Sequence, residues 1–351
     1  MSGETLQDFL SRFRRRHPSR EVIDRLRSLR NKRVLVLGDV IIDEYFYCKV
    51  VGKSSKSATL TARFLNAERH AGGVLAVANH VAGFAEAVDL VTFLGDPPEE
   101  ETFIREHLGP NVRLHLVPQP GLPVVVKRRY VDPFQISKVF EVFWLDGREP
   151  RAEAEDQLIE TIELLLPDRD LVIVADFGHG AIGSRTIRHL CDSGAFLAVT
   201  AQSNSANFGY NLITKYPRAD YICIDEEEMR LANSDRYGDL ESLLRHTAEH
   251  LQCRYATVTQ GARGSMTAAR DGTVVQTPVL SGEVIDSVGA GDAYFGITSL
   301  CATTDCEPEL LGFAGNCMGA LAVRIVGNRQ PVEPPALYGF MEDLLGGRTP
   351  R

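Results

Sequence analysis

The sequence contains little that points to a membrane, a nucleic acid or a disulfide-stabilised fold. No apolar run approaches the roughly 20 residues of a membrane-spanning helix, and the N-terminus lacks the apolar core of a signal peptide. The formal net charge of −9 argues against a general nucleic-acid binder. The seven cysteines include no CxxC pair, so we expect reduced, mostly buried thiols in a cytoplasmic protein.

Common cofactor motifs are absent or only partly matched. GxxxxGK followed by Ser or Thr does not occur, which argues against a P-loop nucleotide site. GAGDAY supplies two glycines of a dinucleotide-binding GxGxxG, but Tyr294 stands where the third glycine should allow close helix packing. HTAEH, at residues 246–250, has the spacing of one class of zinc peptidase. The leucines around it indicate an ordinary amphipathic helix, so we expect no zinc site there.

The N-terminal segment carries the one strongly basic tract, SRFRRRHPSREVIDRLRSLRNKR. Ile23, Leu26 and Leu29 fall on one face of a helix, which predicts packing against the body of the protein or against a partner subunit. An arm that binds nucleic acid or an anionic membrane is the alternative. Because the rest of the chain is acidic, we favour a basic helical extension over residues 1–31, followed by one domain over residues 32–345.

Within that domain, strand patterns alternate with helix patterns. KRVLVLGD, AVDLVTFLGD and DLVIVADFG are typical of buried strands, and LAVANHVAGFA and RAEAEDQLIETIELLLP of helices. This alternation predicts an α/β fold of three layers, α/β/α, with a mainly parallel central sheet. Two segments, near residues 45–65 and 123–146, are rich in aromatic and β-branched residues instead. We expect them to form a small antiparallel sheet that projects from the main one as a lid.

Polar and glycine residues follow several of the predicted strands directly. Asp39, Asp176 and Gly178 do so, and so do Gly261 and the segment VGAGD. Ligands of an open α/β sheet bind beyond the carboxyl ends of its strands. We therefore expect these residues to face one crevice.

The segment VIDSVGAGDAYFG lies between a strand-like and a helix-like run, so Gly289, Ala290 and Gly291 occupy a probable helix start. The free N–H groups and the dipole of a helix start favour an anion. These groups suit the charge on a transferred phosphoryl group, while Asp292 accepts the proton of an attacking hydroxyl. The same N–H groups predict an ionised Asp292, which is a weak base. A plain helix cap with Asp in the first turn is the alternative.

DSVGAGDAYFG is similar to the C-terminal signature of the PfkB (ribokinase-like) carbohydrate kinases, usually written DTTGAGD. GDVIIDEYFY and HAGGVLAVANHVAGFA resemble the sugar-binding part of that family, and VTQGARGSM resembles its nucleotide-side VTLGxxG. VIVADFGHGAIG resembles the SDYAKGAL stretch of one branch. The GDV-x-x-DEY opening and the K-x-R in VVVKRRYV most resemble the heptose 7-phosphate kinases of ADP-heptose synthesis.

The resemblance implies a ribokinase-like kinase domain and a role for each matching residue. Asp292 is the catalytic base, and Gly289, Ala290 and Gly291 form the anion hole. The acceptor side comprises Asp43, Gly72, Gly73, Lys127 and Arg129, to which the crevice adds Asp39 and Asp176. The nucleotide side comprises Thr259, Gly261, Gly264 and Asn316. Glu227 is the magnesium-side acid, and Asp286 helps to bind a monovalent cation such as K⁺.

The chain also departs from the family at several positions, most of them at the acceptor end. Ala76 stands where the paired glycines are usually followed by Asn, and Ile224 stands for the Asn of the NxxE motif. The lysine of DYAKG is His179, and DPKG has become residues 200–203, TAQS. The phosphate-transfer end therefore matches the family better than the acceptor end does.

We predict an ATP-dependent, magnesium-requiring kinase of a sugar or sugar phosphate. Lys127 and Arg129 favour an acceptor that already carries a phosphate, because the two side chains pair a point charge with a planar fork. We expect a homodimer with a small-molecule substrate and neither a nucleic-acid nor a membrane partner. Because the chain ends at Arg351, we expect no fused nucleotidyltransferase. A nucleoside kinase and a non-catalytic sugar sensor are the alternatives, and the intact GAGD argues against the sensor.

Overall fold

The computed structural model of the protein describes residues 5–134, 137–280 and 282–347. Residues 1–4 of the predicted extension, residues 135 and 136 of the predicted lid and residue 281 of the predicted domain lie outside the described residues. Within the described ranges, no helix is long and apolar enough to cross a membrane.

Thirteen strands are present in these ranges. They are β1 (Arg33–Gly38), β2 (Val40–Lys53), β3 (Leu60–Gly73), β4 (Ala87–Asp96), β5 (Val112–Pro123), β6 (Val125–Asp132), β7 (Ser137–Trp144), β8 (Leu171–Asp176), β9 (Leu197–Ala201), β10 (Tyr221–Asp225), β11 (Tyr255–Thr259), β12 (Ser265–Ala269) and β13 (Val274–Thr277).

Nine of the strands form the central sheet, in the order β13-β12-β11-β10-β9-β8-β1-β4-β5. The pairings of β12 with β11 and with β13 are antiparallel, and the other pairings are parallel. Residues 34–37 of β1 are all apolar and fully buried. Such a run is typical of a parallel strand that is covered on both faces.

Eleven α-helices are described. They are α1 (Leu6–Arg16), α2 (Ser19–Ser28), α3 (Val74–Ala82), α4 (Glu100–Glu106), α5 (Ala152–Leu165), α6 (Ser184–Asp192), α7 (Glu226–Ala232), α8 (Leu240–His250), α9 (Ala290–Ala302), α10 (Pro308–Ala322) and α11 (Pro334–Leu345). One apolar core joins the sheet to α1, α2, α3, α9, α10 and α11, and a second joins its other face to α5, α6, α7 and α8. The predicted three-layer α/β/α architecture is therefore confirmed.

The remaining four strands form a second, smaller sheet in the order β3-β2-β6-β7, which confirms the predicted β-strand lid. The lid is mixed rather than antiparallel, because β2 and β6 pair in parallel. The reason lies in the central sheet. β2 follows directly after β1, and β6 follows directly after β5. Since β1 and β5 both run parallel to β4, the two lid strands leave the sheet in the same direction.

The two faces of the lid differ in chemistry because side chains alternate along its strands. The inner face carries Asp43, Lys127 and Arg129, which are buried. The outer face carries an aromatic row that crosses all four strands through successive ring contacts, made by Phe64, Phe46, Tyr130 and Phe140. Phe64 and Phe140 at the ends of this row are exposed.

The basic N-terminal helices pack against the body of the protein. Phe9 and Phe13 of α1 are fully buried, and the ring of Phe13 stacks on Phe313 of α10 with 4.3 Å between centroids. Arg12 forms an ion pair with Glu309 at the start of the same helix. Ile23, Leu26 and Leu29, whose periodicity predicted such packing, are buried in the same core. The division of the chain into an extension and a domain at residues 31 and 32 stays a prediction.

Candidate active site

A cavity of about 430 Å³ lies beneath the lid, at the carboxyl ends of the central strands. The lid contributes Asp43, Lys127 and Arg129 to its wall. Further lining residues come from the ends of β9, β10 and β11 and from the residues that follow these strands: Thr200, Gln202, Ile224, Asp225, Glu228, Thr259 and Gly261. The cavity therefore lies where an open α/β sheet binds its ligands.

Helix α9 begins in this cavity at the glycines that the sequence singled out. Gly289 has a left-handed φ of +81°, and a Cβ at this position would overlap the side chain of Asn328. Ala290 is the first residue of the helix. Gly291 lines the cavity, and a Cβ there would meet no atom within 4 Å. Because the first N–H groups of a helix lack intrahelical partners, this turn can hold an anion in the cavity.

Asp292 lies in the first turn of α9 and lines the cavity. Burial raises the pKa of Asp292 to about 7, the charge of Asp43 adds to the increase, and Lys127 opposes it. The sequence predicted a fully ionised, weak base, and this prediction was wrong. It considered the helix start alone, whereas the lid displaces water and brings a second carboxylate close. A carboxylate with a pKa near 7 is an effective proton acceptor near neutral pH.

Asp43 is held in the cavity wall by the lid and by the loop after α10. Arg129 donates to Oδ1 of Asp43, and Nδ2 of Asn328 lies 3.3 Å from Oδ2. A Cβ on Gly72 would overlap the Asp43 carboxylate, and Gly73 has a left-handed φ of +57° at the turn into α3. The paired glycines therefore allow β3 to approach the carboxylate closely. Their own contacts with a sugar stay a prediction.

Lys127 and Arg129 lie on the same face of the lid, as strand alternation predicted, but they differ in their partners. Arg129 is bonded to Asp43, and its Nε lies 2.9 Å from Oε1 of Glu141. Lys127 has no carboxylate within 4.0 Å of its Nζ among the residues that the structure describes, and its Nζ lies 5.6 Å from the ring centroid of Phe143. Burial lowers the pKa of Lys127, and the charge of Asp43 opposes this decrease. Among the described residues, Lys127 is therefore the cation of this wall without a carboxylate partner, whereas Arg129 contacts two carboxylates.

Asp39 and Asp176 lie behind the cavity wall and not in it. Both carboxylates are buried and bonded to the protein. Asp39 accepts backbone N–H groups at 2.8–3.3 Å, from Phe177, His179 and Ala181. Asp176 accepts side-chain donors from Asn211, Lys215 and Tyr216. The two acids fix the loop that follows β8, which includes Gly178, and their contacts with a substrate stay a prediction.

Two of the four residues assigned to the nucleotide line the cavity, namely Thr259 and Gly261 after β11. Gly264 does not line it, and its φ of +89° forms the turn into β12. Asn316 is buried in α10, and its Nδ2 donates to Oγ of Ser265 at 2.7 Å. This bond fixes β12 to the helix, so Asn316 has a structural task whether or not it lies near a bound adenine.

The sequence assigned Glu227 to the magnesium side, but the glutamate that lines the cavity is one residue further along the chain. Glu227 lines a separate hollow on the surface, whereas Asp225 and Glu228 line the cavity. Asp225 and Glu228 also cap α7, since each carboxylate accepts the backbone N–H of the other residue at 2.8 Å. Burial beside Asp225 raises the pKa of Glu228. Because residues 225–228 are four consecutive acids, the sequence alone could not show which glutamate faces the cavity.

Two residues in or near the site, Asn328 and Lys138, belong to no motif that the sequence analysis recognised. Asn328 links the turn at Gly289 to Asp43. Lys138 of the lid strand β7 lies 3.3 Å from Oδ1 of Asp286, which is buried outside the cavity lining. Each of these residues contacts a partner that is distant in the chain, so no local sequence pattern could reveal the contact.

The fold and the site define an α/β phosphotransferase with a hydroxyl acceptor. The chain belongs to the pfkB family of carbohydrate kinases, whose profile matches residues 31–334. Its fold is that of ribokinase from Thermotoga maritima, with a TM-score of 0.69 and 15% identity over 89% of this chain and 99% of that one. Phosphofructokinase-2 from Escherichia coli, solved in complex with potassium, also has a TM-score of 0.69, with 12% identity and the same coverage.

Curated relatives include bifunctional proteins named HldE. The protein from Rhodopseudomonas palustris (strain BisA53) is 25% identical over 328 residues, which is 89% of this chain. That from Koribacter versatilis (strain Ellin345) is 26% identical over 343 residues, which is 95% of this chain. The chain spans about two thirds of the length of these relatives, 66% and 68% respectively.

The open space beside Gly291 predicts that two glycine substitutions will have separable effects. In Gly291→Val the branched side chain enters the cavity, so turnover should be lost while the melting temperature is kept. Gly289→Ala is the matched control, because its Cβ meets Asn328 and its φ is strained, so it should also lower the melting temperature. Steady-state kinetics and thermal unfolding measure the two effects. If Gly291→Val loses thermal stability and activity to the same extent, the role of this glycine is purely structural.

Asp292→Asn keeps the size of the side chain but removes the proton acceptor. We expect turnover to fall roughly a hundredfold to ten-thousandfold, the usual effect of removing a general base. Affinity for an ATP analogue, measured by calorimetry, should change little. Turnover near the wild-type rate would leave Asp292 as a helix cap, which is the alternative that the sequence left open.

Proposed function

We propose that this protein transfers the γ-phosphoryl group of ATP to a hydroxyl of a sugar phosphate. The observation that carries the proposal is the position of Asp292. Its carboxylate has a pKa near 7 and shares the cavity with the first turn of α9, whose N–H groups can hold a phosphoryl group. Membership of the pfkB family supports the class of reaction. Similarity to the HldE relatives supports an acceptor that resembles heptose 7-phosphate.

The proposed step is an in-line displacement at the γ-phosphorus. The acceptor oxygen attacks phosphorus, the bond to the oxygen that bridges to the β-phosphate breaks, and ADP leaves. Asp292 takes the proton of the acceptor hydroxyl, which moves late if the transition state is loose. The N–H groups at the start of α9 stabilise the negative charge on the transferred group. The lid covers one side of the cavity, which limits the water that can compete with the sugar hydroxyl.

The family implies Mg²⁺, and the residues of the cavity fit this ion. In the part of the chain that the structure describes, no group of three or more His, Cys, Asp and Glu side chains forms a metal site. Mg²⁺ is commonly held by one or two carboxylates, by water and by substrate phosphates, and Asp225 and Glu228 both line the cavity. We propose that Asp225 and Glu228 take this role in place of Glu227. When bound, the ion neutralises phosphate charge.

We propose Lys127, and not Arg129, as the ligand of the acceptor phosphate. The guanidinium of Arg129 is already shared between Asp43 and Glu141, so its role is to position Asp43. Lys127 lies on the same cavity wall without such a partner among the described residues. Asp43 remains the proposed ligand of sugar hydroxyls, because a carboxylate accepts hydroxyl donors well.

A nucleoside kinase of the same fold is the alternative enzyme. The available ammonium of Lys127 in the acceptor wall favours a phosphate over a neutral base. A sugar sensor has no need of a proton acceptor whose pKa is near neutral, so Asp292 argues against that alternative.

The cytoplasmic location and the homodimer stay predictions. The exposed aromatic row on the outer face of the lid is the surface that supports a dimer.

Lys127→Met tests the acceptor directly. Loss of one charge-assisted hydrogen bond of about 1.5–3 kcal/mol should raise KM for the sugar phosphate roughly ten- to a hundredfold and leave KM for ATP unchanged. Arg128→Met is the matched control, because Arg128 points to the other face of the lid and contacts Phe46 and Trp144.

The measurement compares wild type and both variants on matched phosphorylated and unphosphorylated sugars. Wild type should prefer the phosphorylated acceptor, and Lys127→Met should lose that preference. A wild-type preference for the free sugar, or for a nucleoside, would contradict the proposed substrate class.

A further inference from the structure

Asp286 precedes the glycine turn that begins α9, and its side chain is only 3% exposed. In the pfkB family the corresponding carboxylate is expected to help bind a monovalent cation, and one solved protein of the same fold is a potassium complex. Whether this chain suits such an ion depends on how much of the Asp286 carboxylate is free to accept a further ligand.

The two oxygens of Asp286 are already occupied. Oδ2 accepts the hydroxyl of Tyr45 at 2.7 Å and the backbone N–H of Gly327 at 2.9 Å. Oδ1 accepts the backbone N–H of Val288 at 3.2 Å and faces Nζ of Lys138 at 3.3 Å. A carboxylate offers about four lone-pair directions, so four donors saturate it. A metal ion would have to displace at least one of them.

The donors on Oδ2 are fixed by packing. Tyr45 is fully buried in the lid, and its ring lies against Gly327, where an added Cβ would meet it at 3.0–3.2 Å. Gly327 has a left-handed φ of +53°, which holds its N–H towards the carboxylate. Neither group can turn away without moving the lid or the loop after α10. A ligand could therefore be exchanged most easily at Oδ1, the carboxylate oxygen that faces Lys138.

Lys138 already supplies a positive charge at this place. Its ammonium faces Oδ1, and its side chain is about one-third exposed at the start of β7. A monovalent cation beside the same carboxylate would be repelled by this ammonium. A buried carboxylate ordinarily needs a positive charge beside it, and Lys138 supplies that charge to Asp286.

We propose that the ammonium of Lys138 takes the place of the monovalent cation, so that this protein needs no K⁺, and that it ties the lid to the loop which begins α9. The proposal rests on the proposed kinase function for its kinetic consequence. Its structural consequence does not depend on turnover. The residues that face Asp286 do not suit a bound K⁺ while Lys138 is in place, and removal of the lysine opens one oxygen of the carboxylate.

The first test compares wild type in chloride salts of K⁺, Na⁺ and tetramethylammonium at constant ionic strength. Melting temperature and kcat should be the same in the three salts to within about twofold in rate. Tetramethylammonium is the probe that cannot enter a small cation site. A melting temperature that rises with K⁺ alone, or a kcat that K⁺ raises roughly tenfold or more, would overturn the proposal.

The second test uses Lys138→Met, with Lys49→Met as the control on an exposed lid position that does not contact Asp286. Lys138→Met should lower the melting temperature and lower kcat roughly tenfold, as expected for one lost charge-assisted contact. K⁺, but not tetramethylammonium, should restore part of both. Lys138→Arg keeps the charge and should behave as wild type.

If Lys138→Met and Lys49→Met have the same melting temperature and the same kcat in all three salts, the proposal is wrong. If no sugar phosphate is turned over at all, the kinase assignment fails by itself. The salt dependence of the melting temperature then still decides the role of Lys138.

Discussion

The left-handed turn at Gly289 is the constraint on which the rest of the site depends. Because this residue has no side chain, Asn328 can lie directly against it, and helix α9 can begin beneath the lid. The same start leaves N–H groups free at the cavity and places Asp292 in the first turn of the helix. A residue with a Cβ at Gly289 would displace Asn328, and with it a contact of Asp43. One backbone conformation therefore determines how the start of α9 and the Asp292 carboxylate lie at the cavity.

A chain of polar contacts joins this turn to the lid in two places. On the cavity side, Asn328 and Arg129 hold Asp43, whose charge helps to raise the pKa of Asp292. Behind the cavity, Asp286 is held by groups of the lid, Tyr45 among them. The electrostatics of the base therefore depend on the lid being in place. An open lid would admit water and return the pKa of Asp292 towards its ordinary value.

The sequence predicts the fold well because the central strands are continuous apolar runs and the GAGD glycines have a steric reason to stand at a helix start. It does not separate acids that face a ligand from acids that bond to backbone. Asp39 and Asp176 follow strands just as catalytic acids do, yet both hold a neighbouring loop. The identity of the acid beside the cavity, Glu228 and not Glu227, depends on one residue of register in an acidic run. The contact of Lys138 with Asp286 joins residues 148 positions apart, and no local pattern reports it.

The central claim is that Asp292, with a pKa raised by burial beside Asp43, is the proton acceptor. The most direct measurement is the pH dependence of kcat/KM for wild type on its preferred sugar phosphate, between pH 5 and 9. The base must be deprotonated to act, so activity is lost as pH falls through the pKa of about 7. We predict a plateau above pH 7 and a limb of unit slope below it, and residual activity of Asp292→Asn without that limb. A wild-type profile that stays flat down to pH 5, or the same limb in Asp292→Asn, would contradict the account.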